Sequence, residues 1–194
     1  AEDGTAIKPD PAGPLVAQVF KTRIDPFVAR MNYVRVFSGT LKRDTSVNDV
    51  TTGKPVRIGA INELQGNQLT SVPEAIPGDI VAAVKVDGLH TSDSLGELKM
   101  KPINFPKPMV GWAVEPKTSA DQQKISGALA KIVEEDQTFL VTREEQTHEM
   151  VVHGMSELHL QILMERVQKR DKVSIEHHAP KIPYREPCTG EGEG

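Results

Sequence analysis

Between residues 151 and 170 the chain reads VVHGMSELHLQILMERVQKR. His153, Glu157, His159 and Arg166 stand close together here, and such side chains can bind a metal ion or move protons. Their spacing argues against both. His153 falls in a strand pattern, whereas Glu157 and His159 are two residues apart on a helix, about 200° around its axis. A structural zinc site would bring cysteines or a third close ligand. His177 and His178 alternate across a strand and cannot both face one ion. The remaining histidines are His90 and His148. Successive backbone N–H groups and a lysine cradle phosphates in G-x-x-x-x-G-K-[S/T], and no such string occurs. There is also no G-x-G-x-x-G, H-E-x-x-H or nucleophile elbow. A metal or acid/base enzyme built on His153, Glu157 and His159 is the weakest reading, and metal analysis of the purified chain decides it.

What the stretch does offer is a helix with two different sides. At 100° per residue, Leu160, Leu163, Met164 and Val167 share one apolar face. His159, Ile162 or Leu163, and Arg166 line one edge of it, and Leu158 points away. Taken alone, that edge is a boundary stripe with a bonded histidine and a snorkelling arginine. A second feature favours a partner. An upstream helix ends in Glu134-Glu135-Asp136, acids at the negative end of a helix dipole, where each is unfavourable by about 0.3–1 kcal/mol.

The elements that must position these residues fall into two halves. Residues 15–99 hold short alternating segments (LVAQVFKTRI, NYVRVFSGTL, VRIGAINEL, GDIVAAVKV) separated by turn signals at Asp25-Pro26, Ser38-Gly39, Thr52-Gly53, Pro77-Gly78 and Asp87-Gly88. They predict a small all-β barrel. The proline-containing KMKPINFPKPM, residues 99–109, reads as a link. Beyond it, MVGWAVEP predicts a strand, and Ser119-x-x-Gln122 matches a capping box. Ile125, Ala128, Leu129, Ile132 and Val133 then recur at helical spacing. FLVTREE and HEMVVHGM predict two strands joined near Gln146-Thr147. A helix over 156–170 and a last strand in KVSIEHHA complete the order β-α-β-β-α-β, a ferredoxin-like unit. The fold class is therefore mixed, β followed by α+β: 1–12 a linker, 13–101 the barrel, 102–187 the ferredoxin-like domain, and 188–194 the start of something further. Both ends read as cut from a longer chain.

A chain of 194 residues can build real cores, and aromatics are only 4%, so those cores must come from Val, Ile, Leu, Ala and Met. The single cysteine, Cys188, excludes an intrachain disulfide and fits a reducing cytosol. No apolar run approaches the ~18–20 residues of a membrane span. Net charge is −4, so any contact with nucleic acid must be local. Residues 20–57 carry 8 basic side chains against 3 acidic ones. Of these, Lys21, Arg23, Arg30, Arg35, Lys42 and Arg43 form a candidate face for a phosphate backbone, weighed against a merely solvated surface.

Two long motifs carry a family resemblance. GPLVAQVFKTRIDPFVARMNYVRVFSGTLKRDTSV resembles the second domain of elongation factor G. EPKTSADQQKISGALAKIVEEDQTF with GMSELHLQILMERV resembles its third. The likeness runs collinearly through residues 13–187. Ala29, Gln137 and Ser156 stand where the family usually has Gly, Pro and Gly, which suggests a paralogue. The resemblance implies a ribosome-dependent GTPase whose GTP, Mg²⁺ and catalysis belong to an N-terminal domain outside this sequence, so that this chain is itself no enzyme and holds no cofactor. It implies a monomeric, cytoplasmic piece without a membrane partner. Its partners would be that GTPase domain, small-subunit ribosomal RNA at the barrel, and a protein of the decoding region at the third domain. It further implies a fusidic-acid-type rim on Asp136, Thr138, Leu158, His159, Leu163 and Arg166. The alternative is a free-standing RNA-binding or ribosome-assembly adapter without a GTPase partner. The coding sequence upstream separates the two.

Overall fold

Alternation of apolar and polar residues, punctuated by glycine turns, makes the first half a set of short antiparallel strands. The structure is a computed structural model that describes residues 1–25, 29–66 and 68–182, with the side chain of Ala29 left out. The turn at Asp25-Pro26, Cys188 and the segment 188–194 therefore lie wholly or partly outside the described residues. Two compact units result, one of residues 1–106 with 134–137, the other of 107–133 with 138–194.

The first unit holds β1 (Val16–Asp25), β2 (Ala29–Ser38), β3 (Leu41–Lys42), β4 (Thr45–Asp49), β5 (Lys54–Ile58), β6 (Ala60–Gln65), β7 (Gln68–Val72), β8 (Glu74–Ala75), β9 (Ile80–Val84) and β10 (Ser94–Gly96). Eight of them form one sheet in the order β5-β4-β10-β1-β2-β9-β6-β7, and β3 pairs with β8. Leu41 and Ala75, from that small ladder, join Val19, Val34, Ile58, Ile61 and Leu95 in a single core, which makes the unit a barrel. One close approach fixes its seam. A Cβ on Gly96, whose φ is +107°, would lie 1.9 Å from the carbonyl oxygen of Leu15, so only glycine lets β10 meet the start of β1 there.

The second unit holds β11 (Val110–Pro116), α1 (Ser119–Glu135, whose last two residues group with the first unit), β12 (Leu140–Arg143), β13 (Met150–Gly154), α2 (Glu157–Asp171) and β14 (Ile175–His178). Its sheet runs β12-β13-β11-β14 with every neighbouring pair antiparallel, the ferredoxin-like arrangement. Ile125, Ala128, Leu129 and Ile132 of α1 and Leu160, Leu163 and Val167 of α2 are buried with Val114, Phe139 and Val152 in one core. Met164, expected in the buried set, is only partly covered.

The cap of α1 differs from the sequence expectation by one residue. The box is Thr118-x-x-Asp121: the Asp121 N–H donates to the Thr118 hydroxyl at 3.2 Å, and that hydroxyl donates back to the Asp121 carboxylate at 2.7 Å. Asp121 is buried and also accepts the Ser174 N–H at 3.3 Å, so it ties the start of α1 to the approach of β14. Ser119 and Gln122 match the same pattern one residue further along the chain.

The far ends of the helices are joined by charge. Asp171 accepts from Lys131 of α1 at 2.5 Å and from its neighbour Arg170 at 2.9 Å. Burial opposes ionisation, but the two cations prevail and hold the Asp171 carboxyl below its ordinary 3.8. A depressed folded value means that the stabilisation is fully present above the ordinary range and is lost as pH falls through the folded value. Asp171→Asn is expected to lower the melting temperature at pH 7, with the gap closing as pH drops below 3.8. Melting curves across pH check this, and a gap independent of pH would contradict the ion-pair assignment.

Candidate functional site: the outer edge of the second helix

The turn from β13 into α2 is built by four neighbouring residues. Ser156 has extended backbone (φ −159°, ψ 166°), and its hydroxyl accepts the His159 N–H at 3.1 Å, an N-cap. The Nδ1 of His159 accepts the Met155 N–H at 3.1 Å. That bond leaves Nε2 as the protonated nitrogen of the neutral ring. Gly154 leaves room: a Cβ there would sit 2.7 Å from Leu160 Cδ2 and 3.2 Å from His159 Nδ1. Glu157 in the first turn and Lys169 and Arg170 in the last complement the helix dipole. The helix ends at Lys172, whose φ is +55°.

This junction sets the rotational phase of α2. Leu160, Leu163 and Val167 go inward, while Leu158 stays 63% exposed and Ile162 49% exposed. The ambiguity between Ile162 and Leu163 is thus resolved: Ile162 lies on the outer edge. Leu163, named from the resemblance as a rim residue, is only 3% exposed and supports that edge from the core. Arg166 is exposed. Asp136, Thr138, His159 and Arg166 all have further bonding contacts, so none is a loose side chain.

The other candidates take structural places. His153 shares a 2.9 Å hydrogen bond with Thr142 across the β12–β13 pair. His177 stacks on Trp112, ring centres 4.0 Å apart and 12° from parallel. His178 lies on the other side of its strand, 3.7 Å from Glu115 and 3.8 Å from Glu149. Among the described residues no three His, Cys, Asp or Glu side chains converge as metal ligands.

The basic face divides. Lys21, Arg23 and Arg35 stand exposed on β1 and β2. Lys42 lies on the separate β3–β8 ladder, 3.9 Å from Glu74, and Arg43 in the following turn is 3.9 Å from Asp44. Arg30 makes two bonds to the Glu134 carboxylate, 2.6 and 2.7 Å, within the first unit. Lys42 and Arg43 are thus exposed on or beside a second ladder, Arg30 is engaged by an ion pair, and Lys21, Arg23 and Arg35 are the exposed cations of the β1–β2 pair. Sequence reading missed Phe20 and Phe37, which stand beside Arg35. Their signal lay in β-bulges, which no pattern of residue types discloses.

The comparisons with known proteins bear on the whole chain. The family model "Elongation factor G domain 2" matches residues 14–98, and "Elongation Factor G, domain III" matches residues 105–179. The chain belongs to the elongation factor G family. It carries domains II and III of that family. An elongation factor G from Amoebophilus asiaticus (strain 5a2) is 39% identical over 186 residues, covering 94% of this chain and 26% of that protein. A crystal structure of a protein from Thermus thermophilus matches with a TM-score of 0.80 at 34% identity, covering 89% of this chain and 27% of that one. The chain thus spans about a quarter of the length of these relatives.

The phase of α2 predicts a graded response to substitution. Leu160→Ala should cost ~2–5 kcal/mol of stability. His159→Ala should cost ~1 kcal/mol, through the lost acceptor for the Met155 N–H. Leu158→Ala and Ile162→Ala should stay within ~0.5 kcal/mol. Urea unfolding of the four variants checks the order, and a Leu158 variant as unstable as the Leu160 variant would mean that the helix is turned otherwise.

Proposed function

We propose that this chain is the central part of a translational GTPase, relaying GTP hydrolysis in a preceding domain to the movement of the factor on the ribosome. The observation that carries the reading is the edge of α2, which sets two exposed apolar side chains, Leu158 and Ile162, beside a histidine held by the backbone. Such an edge is costly to leave in water and suited to a partner that changes position. In this reading the partner is the GTPase domain, and Asp136, Thr138, Leu158, His159 and Arg166 meet it, with Leu163 as their buried support. GTP and Mg²⁺ belong to that domain. This chain makes no bond to nucleotide; it transmits a change of position. The exposed cations of β1 and β2 face small-subunit ribosomal RNA, the ferredoxin-like unit meets a protein of the decoding region, and the factor works in the cytoplasm.

The test is made in the full-length factor. Leu158→Ser with Ile162→Ser should lower ribosome-stimulated GTP hydrolysis by at least about tenfold, as expected where ~1.4 kcal/mol of coupling is lost, while the melting temperature stays unchanged. Unchanged turnover and translocation in that double variant would defeat the relay.

A further inference from the structure

On the outer face of the barrel, strand pairing is interrupted twice. Along β1 and β2 the partners run Val16 with Ser38 and then Ala17 with Val36, so Phe37 is an extra residue on β2. They run Val19 with Val34 and then Lys21 with Tyr33, so Phe20 is an extra residue on β1. Each bulge therefore places a phenylalanine outside the ladder, and bulges re-aim side chains. Between the two lies the regular pair Gln18–Arg35, and Ile80 of β9 pairs with Arg35 on its other side.

The result is a shallow hollow of about 180 Å³ lined by Gln18, Phe20, Arg35, Phe37 and Ile80. Arg35 lies over the Phe37 ring, 5.5 Å from its centre. Phe20 meets Tyr33 with ring centres 6.2 Å apart. Ile80 is 51% exposed, and among the described residues no carboxylate lines the hollow. The chain has only 5 phenylalanines and 2 tyrosines, so three such rings on one outer face of a barrel are not spread at random.

We infer that this hollow is a stacking platform for an unpaired RNA base, with the Phe20 and Phe37 rings and the Arg35 guanidinium meeting the base and Lys21, the residue after Phe20 on β1, meeting the phosphate. A flat apolar recess beside a planar cation suits a nucleobase, whose faces stack on aromatic rings and on guanidinium planes. A protein partner would fill an apolar recess as well. The lining without carboxylates and the exposed Arg35 within it, with the exposed Lys21 following Phe20 along β1, favour a polyanion. The inference rests on the ribosomal reading only for the source of the RNA.

The test uses the 194-residue chain and two fluorescein-labelled probes, a twelve-residue oligoadenylate and the same sugar–phosphate chain without bases. Fluorescence anisotropy at low salt should show tighter binding of the adenylate. Phe37→Leu, which keeps the apolar volume but removes the ring, should weaken adenylate binding roughly tenfold and leave the abasic probe unchanged. Phe37→Tyr should restore it, and Arg35→Gln should weaken both probes, the adenylate more. Melting curves establish that each variant is folded. Equal binding of the two probes by the unaltered chain, or adenylate binding by folded Phe37→Leu equal to that of the unaltered chain, would overturn the platform and leave the hollow to a protein partner. Neither result depends on the α2 edge, so the relay can fail while the platform stands, and the reverse.

Discussion

The interaction on which the second unit turns is the bond from the Met155 N–H to His159 Nδ1. It closes a turn that Gly154 makes possible by having no Cβ and that Ser156 converts into a helix start. The geometry of this turn leaves α2 one phase about its axis. That phase buries Leu160, Leu163 and Val167 and puts Leu158 and Ile162 in solvent. The same residue that holds the turn thereby stands at the edge a partner would touch. In the proposed relay, stability and coupling would meet at His159, whose ring is bonded to the turn and only partly buried.

The barrel obeys a different constraint. Its ladder is antiparallel throughout, and its core is made of small and branched aliphatics, as a sequence poor in aromatics requires. Among the described residues, Phe20, Tyr33 and Phe37 are not part of that core. Two of them occupy bulges, where a strand carries one residue more than its partner. A bulge weakens the ladder locally, and here two occur on one strand pair with a phenylalanine at each.

Much of this was legible in the residues. Alternation and turn chemistry disclose the barrel, and helical spacing discloses both faces of α2, because burial of one face imposes the period. The misreadings have physical causes. Thr118-x-x-Asp121 and Ser119-x-x-Gln122 are equally good capping boxes in isolation; a distant bond to Ser174 selects the first. Ile162 and Leu163 lie 100° apart, so a wheel could not assign the edge until the turn fixed its origin. The six cations are alike in sequence, and only the structure shows that Lys42 belongs to the β3–β8 ladder and that Glu134 engages Arg30. Register shifts such as those at Phe20 and Phe37 depend on pairing partners and leave no periodic mark.

The central claim is that the outer edge of α2 is made for a partner outside this sequence. It is tested most directly by attaching ¹³C-methyl labels to leucine and isoleucine and measuring relaxation by a soluble gadolinium chelate. In the 194-residue chain the Leu158 and Ile162 methyls should relax strongly and those of Leu160 and Leu163 weakly. In the full-length factor the Leu158 and Ile162 methyls should become protected. If they remain as accessible there as in the shorter chain, on and off the ribosome alike, the edge has no partner and the account is wrong.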